Sequence, residues 1–294
     1  MTSSRTAAPA ADEEFTPDSL AGQALGRAAD VLREHGLVRL GRLGGRDDVL
    51  EAAGRFMASR LQHRDADPDG LTVVRDTGRH EGRAGFAGLG RGDLSLHTEC
   101  AQLPRPPRLL LLACARTAES GGESLVVDGR AVLAELAGFH PTALEALAAP
   151  RAAYFGGADG HFAPVLEHLP DGRWRLRLRQ DSLARFSPDA EAHLPALRGA
   201  VERSTTRLRL ACGQGLVLDN HRVLHGRTAF VGARLLLRAL GEPHPTLGLD
   251  NGFPAPWSTL RPAPAGDGDQ VRPTAAGHFG PGQPMRSSSA WSAG

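Results

Sequence analysis

Asp219-Asn220-His221-Arg222-Val223-Leu224-His225-Gly226-Arg227, read with Ser95-Leu96-His97-Thr98-Glu99, decides how this 294-residue chain folds. His97 and Glu99 stand two apart, so on an extended segment both side chains leave the same face. His225 lies 225 − 97 = 128 residues downstream, at the end of a stretch that reads as strand. Two imidazoles and one carboxylate form the ligand set of a non-haem ferrous site with three open coordination positions. Ligands that converge from such distant segments suit a closed β-barrel, and the ligand set points to an oxygen-activating enzyme.

The apolar run Thr228 to Leu240 carries two arginines four apart, Arg234 and Arg238. Buried arginines need anionic partners, because an unpaired buried charge costs several kcal/mol. A dicarboxylate would supply one, held by the guanidinium fork in bidentate fashion.

These segments resemble those of the ferrous-iron, 2-oxoglutarate-dependent dioxygenases of the taurine dioxygenase (TauD/TfdA-like) superfamily. His97-Thr98-Glu99 is closest to the clavaminate synthase and amino-acid hydroxylase branch, while Asn220 to Arg227 is more similar to γ-butyrobetaine hydroxylase. Between them, Ser120-Gly121-Gly122-Glu123-Ser124-Leu125-Val126-Val127-Asp128 is similar to the family's Gly-Gly-Asp-Thr segment, with Ser124 as the hydroxyl that approaches the cosubstrate. The resemblance covers roughly residues 30 to 245, with its motifs in the family's order.

The resemblance implies a mainly β chain with flanking helices, folded as a double-stranded β-helix, that is a cupin-like jelly roll. It implies Fe(II) held by His97, Glu99 and His225, with dioxygen and 2-oxoglutarate taking the open positions. The far carboxylate of 2-oxoglutarate would pair with Arg238 and the Ser124 hydroxyl, and Arg234 would sit nearer the 1-carboxylate or brace the site. Family chemistry then implies hydroxylation of an unactivated C–H bond in an amino acid or related small metabolite, free or carrier-tethered, in specialised metabolism. Desaturation and oxidative cyclisation use the same residues. Halogenation is disfavoured, since related halogenases lack the carboxylate ligand that Glu99 supplies. Two readings from other classes stand beside this one: a non-catalytic metal-binding jelly roll, and a zinc hydrolase with the same ligands. No His-Glu-x-x-His motif supports the hydrolase.

Net charge of +1 argues against a general nucleic-acid binder. Every basic side chain is arginine, so Schiff-base and P-loop lysine chemistry is excluded. Cys100, Cys114 and Cys212 form neither a zinc pattern nor a disulfide framework, and Cys100 reads as a small buried hydrophobe. The longest apolar run, Leu109 to Ala115, falls far short of a membrane span. The first ten residues lack the apolar stretch of a secretory signal, which makes the cytoplasm the expected location.

Along the chain, residues 1–15 are expected as a disordered tail, 16–250 as the dioxygenase domain, and 251–294 as a Pro/Gly/Ser-rich tail. Thr16-Pro17 opens a helix that runs to Gly36, a strand follows to Leu40, and a second helix is predicted from Asp47 to Leu61. The glycine-rich stretch 82–92 leads into a strand rather than a helix, which rules out a dinucleotide loop and predicts a loop at the mouth of the site. Arg173 to Arg179 alternates strictly, placing four arginines on one strand face. That row reads either as an exposed edge blunted by charge or as the source of substrate contacts, with Arg179, Asp181 and Arg185 as candidates. Of the other histidines, His221 reads as a neighbour of the site and His63 as solvated.

Overall fold

Period-2 alternation in the strand Leu109–Arg116 sets the architecture. Leu109, Leu111 and Ala113 pack with the helices Gly22–His35 and Arg46–Phe56, whereas Leu110 and Cys114 join a core shared with Val126 and Val223. The computed structural model describes residues 13–79 and 85–259. Within them, Leu109–Arg116 lies inside a seven-stranded sheet ordered Glu14–Phe15, Leu37–Leu40, Gly215–Asp219, Leu109–Arg116, Leu235–Pro243 and Met57–Arg60. Thr72–Arg75 also pairs with Leu235–Pro243.

A second, antiparallel sheet runs Thr206–Leu208, Ser124–Asp128, Val223–Arg227, Leu94–His97. Its strands alternate as well. Val126 and Val223 turn toward the larger sheet, while Val127 and Leu224 pack with the helices Gly129–Phe139, Pro141–Ala148 and Leu194–Arg203. Among the described residues the two sheets do not close into the barrel that the ligand spacing suggests. They are separate sheets joined by apolar packing, which brings distant segments together as effectively as closure would.

Gly36 ends the first long helix at φ +76°, and a Cβ there would lie 2.8 Å from Val223 Cγ2. Glycine therefore supplies both the left-handed cap and the close approach to the second sheet.

The second helix stops at Phe56 rather than Leu61, because Met57–Arg60 pairs with Gly241 to Pro243 at the edge of the large sheet. Tertiary pairing overrides a helical pattern there. The arginine row is not an exposed edge either. The regular strand ends at Leu176, Arg175 pairs with Glu167, and Arg177 is 4% exposed with its guanidinium donating to the carbonyls of Ala101, Leu103 and Pro104.

Phe15 is buried and pairs with Leu40, and Phe253 is buried and pairs with Trp174. Residues 1–12 and 260–294 of the expected tails lie outside the described residues. No helix among the described residues is long and apolar enough to cross a membrane.

Candidate active site

His97 and His225 are cross-strand partners between Leu94–His97 and Val223–Arg227, and their ring centroids stand 4.3 Å apart. A separation of 128 residues in sequence thus becomes one strand spacing. Glu99 follows two residues after the strand end, with Oε2 3.6 Å from His225 Nε2. One ligand atom from each of the three lies within 4.8 Å of the others. His97 Nδ1 sits 2.8 Å from the Ser95 carbonyl, which fixes the ring and leaves Nε2 for a metal.

Electrostatics put His97 and Glu99 in their metal-binding protonation states. Burial, reinforced by His225, pushes His97 down to about 4, so its imidazole is neutral near pH 7. Burial would raise the Glu99 carboxyl, but Arg238 and His225 outweigh it and hold Glu99 well below the usual carboxylate range. A neutral imidazole and an ionised carboxylate are the forms that bind a divalent cation. The donor set fits Fe(II).

The four residues before Val223 build the frame. Asn220 Oδ1 accepts the Glu99 N–H at 2.6 Å, and its Nδ2 donates to the carbonyls of Glu99 (3.0 Å) and Pro107 (2.8 Å). Asp219 takes Arg108 in a buried fork at 2.7 and 2.8 Å. Arg222 grips Asp128 at 2.8 and 2.7 Å and also donates to the Arg33 and Glu34 carbonyls at the end of the first long helix. His221 is buried with Nε2 3.2 Å from the Pro106 carbonyl, so it belongs to this frame and not to the metal cluster. Sequence reading missed the roles of Asp219, Asn220 and Arg222. The signal available was a run of four polar residues leading into an apolar strand, a pattern that requires buried partners.

Asn220→Ala leaves the Glu99 N–H and two carbonyls unpaired in the interior, at about 1–3 kcal/mol for each buried group. The expected result is a melting temperature lower by several degrees and a weakened affinity for ferrous iron. Thermal unfolding and a metal titration check both.

A cavity of about 650 Å³ opens over the cluster, lined by Ser124, Arg234, Arg238, Arg179 and Asp181 besides the three ligand candidates. Arg185 lies on an adjoining hollow with Arg151, Tyr154 and Phe162. Arg179 and Asp181 pair at 2.5 and 2.7 Å. Arg238 Nη1 reaches Glu99 Oε2 at 3.0 Å, which puts its guanidinium beside the metal cluster. Arg234 lines the same cavity with Ser124, packs over Phe230 at 5.8 Å, and pairs with no carboxylate among the described residues. Burial lowers its pKa. Arg238 is thus placed against Glu99, and Arg234 against Phe230.

His63 corrects a further expectation. It is not solvated: it lines the cavity with Nδ1 3.3 Å from Arg238 Nη2 and 3.6 Å from Asp65 Oδ2. Its position between two strands hides this in the sequence. Cys100 is buried with φ +55°, and burial pushes its thiol up to about 12, an inert side chain despite its place beside Glu99. Gly85 to Leu89 line the cavity wall, with Arg64 stacked 4.5 Å over the Phe86 ring. Residues 82–84 of the expected loop lie outside the described residues.

Two packed, mainly antiparallel sheets carrying two histidines and a glutamate at one end define a non-haem iron oxygenase scaffold. Residues 4–240 match the family described as "Taurine catabolism dioxygenase TauD, TfdA family", and the chain belongs to that family of Fe(II)- and 2-oxoglutarate-dependent dioxygenases. Solved structures with the same jelly-roll fold include asparagine oxygenase in complex with Fe(II), 2S,3S-3-hydroxyasparagine and succinate. It is 20% identical, with 75% of this chain and 79% of that chain covered and a TM-score of 0.56. Asparagine oxygenase (AsnO) is also similar, at 19% identity, 75% and 78% coverage and a TM-score of 0.61. The non-heme iron oxygenase OrfP in complex with Fe and alpha-ketoglutaric acid matches at 19% identity, 79% and 87% coverage and a TM-score of 0.56.

Proposed function

We propose that this dioxygenase hydroxylates a C–H bond of an α-amino acid, with His97, Glu99 and His225 as the iron ligands. The observation that carries the substrate class is the Arg179–Asp181 pair on the cavity wall. An α-amino acid presents a carboxylate and an ammonium group side by side. Arg179 takes the carboxylate and Asp181 the ammonium, so a neutral ion pair is exchanged for a neutral zwitterion and the cavity keeps its charge balance.

Position follows from the backbone. Thr98 N–H donates to the Leu178 carbonyl at 2.8 Å, and Gln180 Nε2 donates to the Leu96 carbonyl at 2.9 Å. The segment bearing Arg179 and Asp181 is thereby fastened to the segment bearing His97 and Glu99, which fixes the amino-acid head relative to the iron ligands. Arg234 and Ser124 hold the far carboxylate of 2-oxoglutarate, and Arg238 keeps Glu99 ionised and in place. When bound, iron with 2-oxoglutarate and dioxygen supplies the oxidising power, yielding succinate, carbon dioxide and one oxygen atom for the substrate. Asparagine oxygenase and OrfP, which are solved with 3-hydroxyasparagine and hydroxy-arginine, are similar in fold and support the substrate class.

The test is turnover with ferrous iron, 2-oxoglutarate and a panel of α-amino acids, followed by succinate formation and a product mass increase of one oxygen. With the accepted substrate, Arg179→Ala raises KM about a hundredfold, as expected for loss of a charge-assisted pair, while kcat changes little. An unchanged KM would make Arg179 and Asp181 a purely structural pair.

A further inference from the structure

We propose that Arg227 is a positioning residue that ties the cosubstrate end of the cavity to the wall formed by residues 85–92, so that 2-oxoglutarate orders this wall. The proposal rests on the assignment of Arg234 and Ser124 to the far carboxylate. Arg227 and Ser124 are direct partners across Val223–Arg227 and Ser124–Asp128, so their side chains leave the same face, and both line the cavity. The guanidinium of Arg227 stands 4.7 Å from the centroid of the Phe230 ring, and that of Arg234 stands 5.8 Å from it. One aromatic side chain thus supports two cations. Neither pairs with a carboxylate among the described residues, and Arg227 is only 3% exposed. A buried and a half-buried guanidinium group around one ring, with a hydroxyl opposite, form a receptor for a carboxylate.

The two ends of the Arg227 fork differ. Nη2 donates to the carbonyls of Ala87 at 3.3 Å and Gly90 at 3.0 Å, on either side of the short turn Ala87–Leu89. Nη1 is buried and has no hydrogen-bond partner. Half of the fork holds the wall, and half is unsatisfied beside the site of an incoming anion. A counter-ion at Arg227 and Arg234 fixes the fork and, through it, the Ala87 and Gly90 carbonyls. The cosubstrate therefore completes the wall of the cavity that receives the prime substrate.

Hydrogen exchange of the ferrous protein under anaerobic conditions, with and without 2-oxoglutarate, tests this while the visible charge-transfer band reports chelation independently. In the wild type, 2-oxoglutarate should slow exchange across residues 85–92 by about tenfold or more. Arg227→Lys keeps the charge but has a single nitrogen, which cannot hold the Ala87 and Gly90 carbonyls and the carboxylate together, so it should still form the band, with 2-oxoglutarate affinity reduced about tenfold, and lose the protection. A band in the wild type without any change in exchange would overturn the coupling and leave the cosubstrate site standing. Full protection in Arg227→Lys would overturn it as well. No band in the wild type would overturn both the cosubstrate assignment and the coupling. The wild-type comparison decides the matter even where the variant does not fold.

Discussion

Glu99→Ala abolishes 2-oxoglutarate-coupled oxidation and weakens ferrous binding by more than about a hundredfold, since even the loss of an outer-shell partner costs about 10- to 100-fold. Glu99 is the anionic member of the cluster, and its loss removes both a ligand and the charge that offsets the metal. The same change strands Arg238, whose Nη1 pairs with Glu99 Oε2 at 3.0 Å and whose buried Nε has no partner. Removing one half of a buried pair costs about 3–5 kcal/mol, and the modest exposure of Arg238 brings the expected loss to the lower end. Glu99→Gln separates the two effects. It keeps a polar contact to Arg238 and so recovers stability, but not iron affinity. Metal titration with thermal unfolding of both variants checks this, and normal oxidation by Glu99→Ala would strike the carboxylate from the ligand set.

Arg234→Ala raises the dissociation constant for 2-oxoglutarate by about a hundredfold, the scale of a lost charge-assisted, bidentate contact. Iron affinity stays close to that of the wild type. The sign of the stability change is also diagnostic. Arg234 is half-buried beside Phe230 without a carboxylate partner among the described residues, so its removal relieves a partly desolvated charge and the cosubstrate-free protein does not melt earlier. Arg238→Ala acts differently, because Arg238 sits on Glu99: it disturbs the iron cluster first. A larger loss of cosubstrate affinity in Arg238→Ala than in Arg234→Ala would favour the division of roles that the family resemblance implies.

The convergence of His97, Glu99 and His225 was legible because two residues that stand two apart share a face on an extended segment and His225 reads as lying at a strand end, which is local information. The pairing of His97 with His225 across two strands is tertiary, but it follows once both segments are read as strands of one sheet. The relative depth of Arg234 and Arg238 was not legible. Both lie in one apolar run, and only the packing of Phe230 against Arg234 and the approach of Glu99 to Arg238 tell them apart. His63 was hidden for the same reason, since a polar loop residue shows no periodicity to betray the wall it faces. The arginine row misled because alternation reports strand faces but not which face is covered. Arg177 satisfies three backbone carbonyls in the interior, a use of arginine that no spacing announces. Phe15 and Phe253 show the complementary limit: short strands at the edges of Pro/Gly-rich segments are fixed by a single buried aromatic and a partner strand.

The central claim, a ferrous cluster of His97, Glu99 and His225 with 2-oxoglutarate chelated beside it, is tested most directly by an anaerobic titration. Metal-free protein is loaded with ferrous iron and then with 2-oxoglutarate while the visible spectrum is recorded. The account predicts the charge-transfer band of a chelated keto acid in the wild type and its loss in His225→Ala. Tight metal binding with no such band, or an undiminished band in His225→Ala, would contradict it.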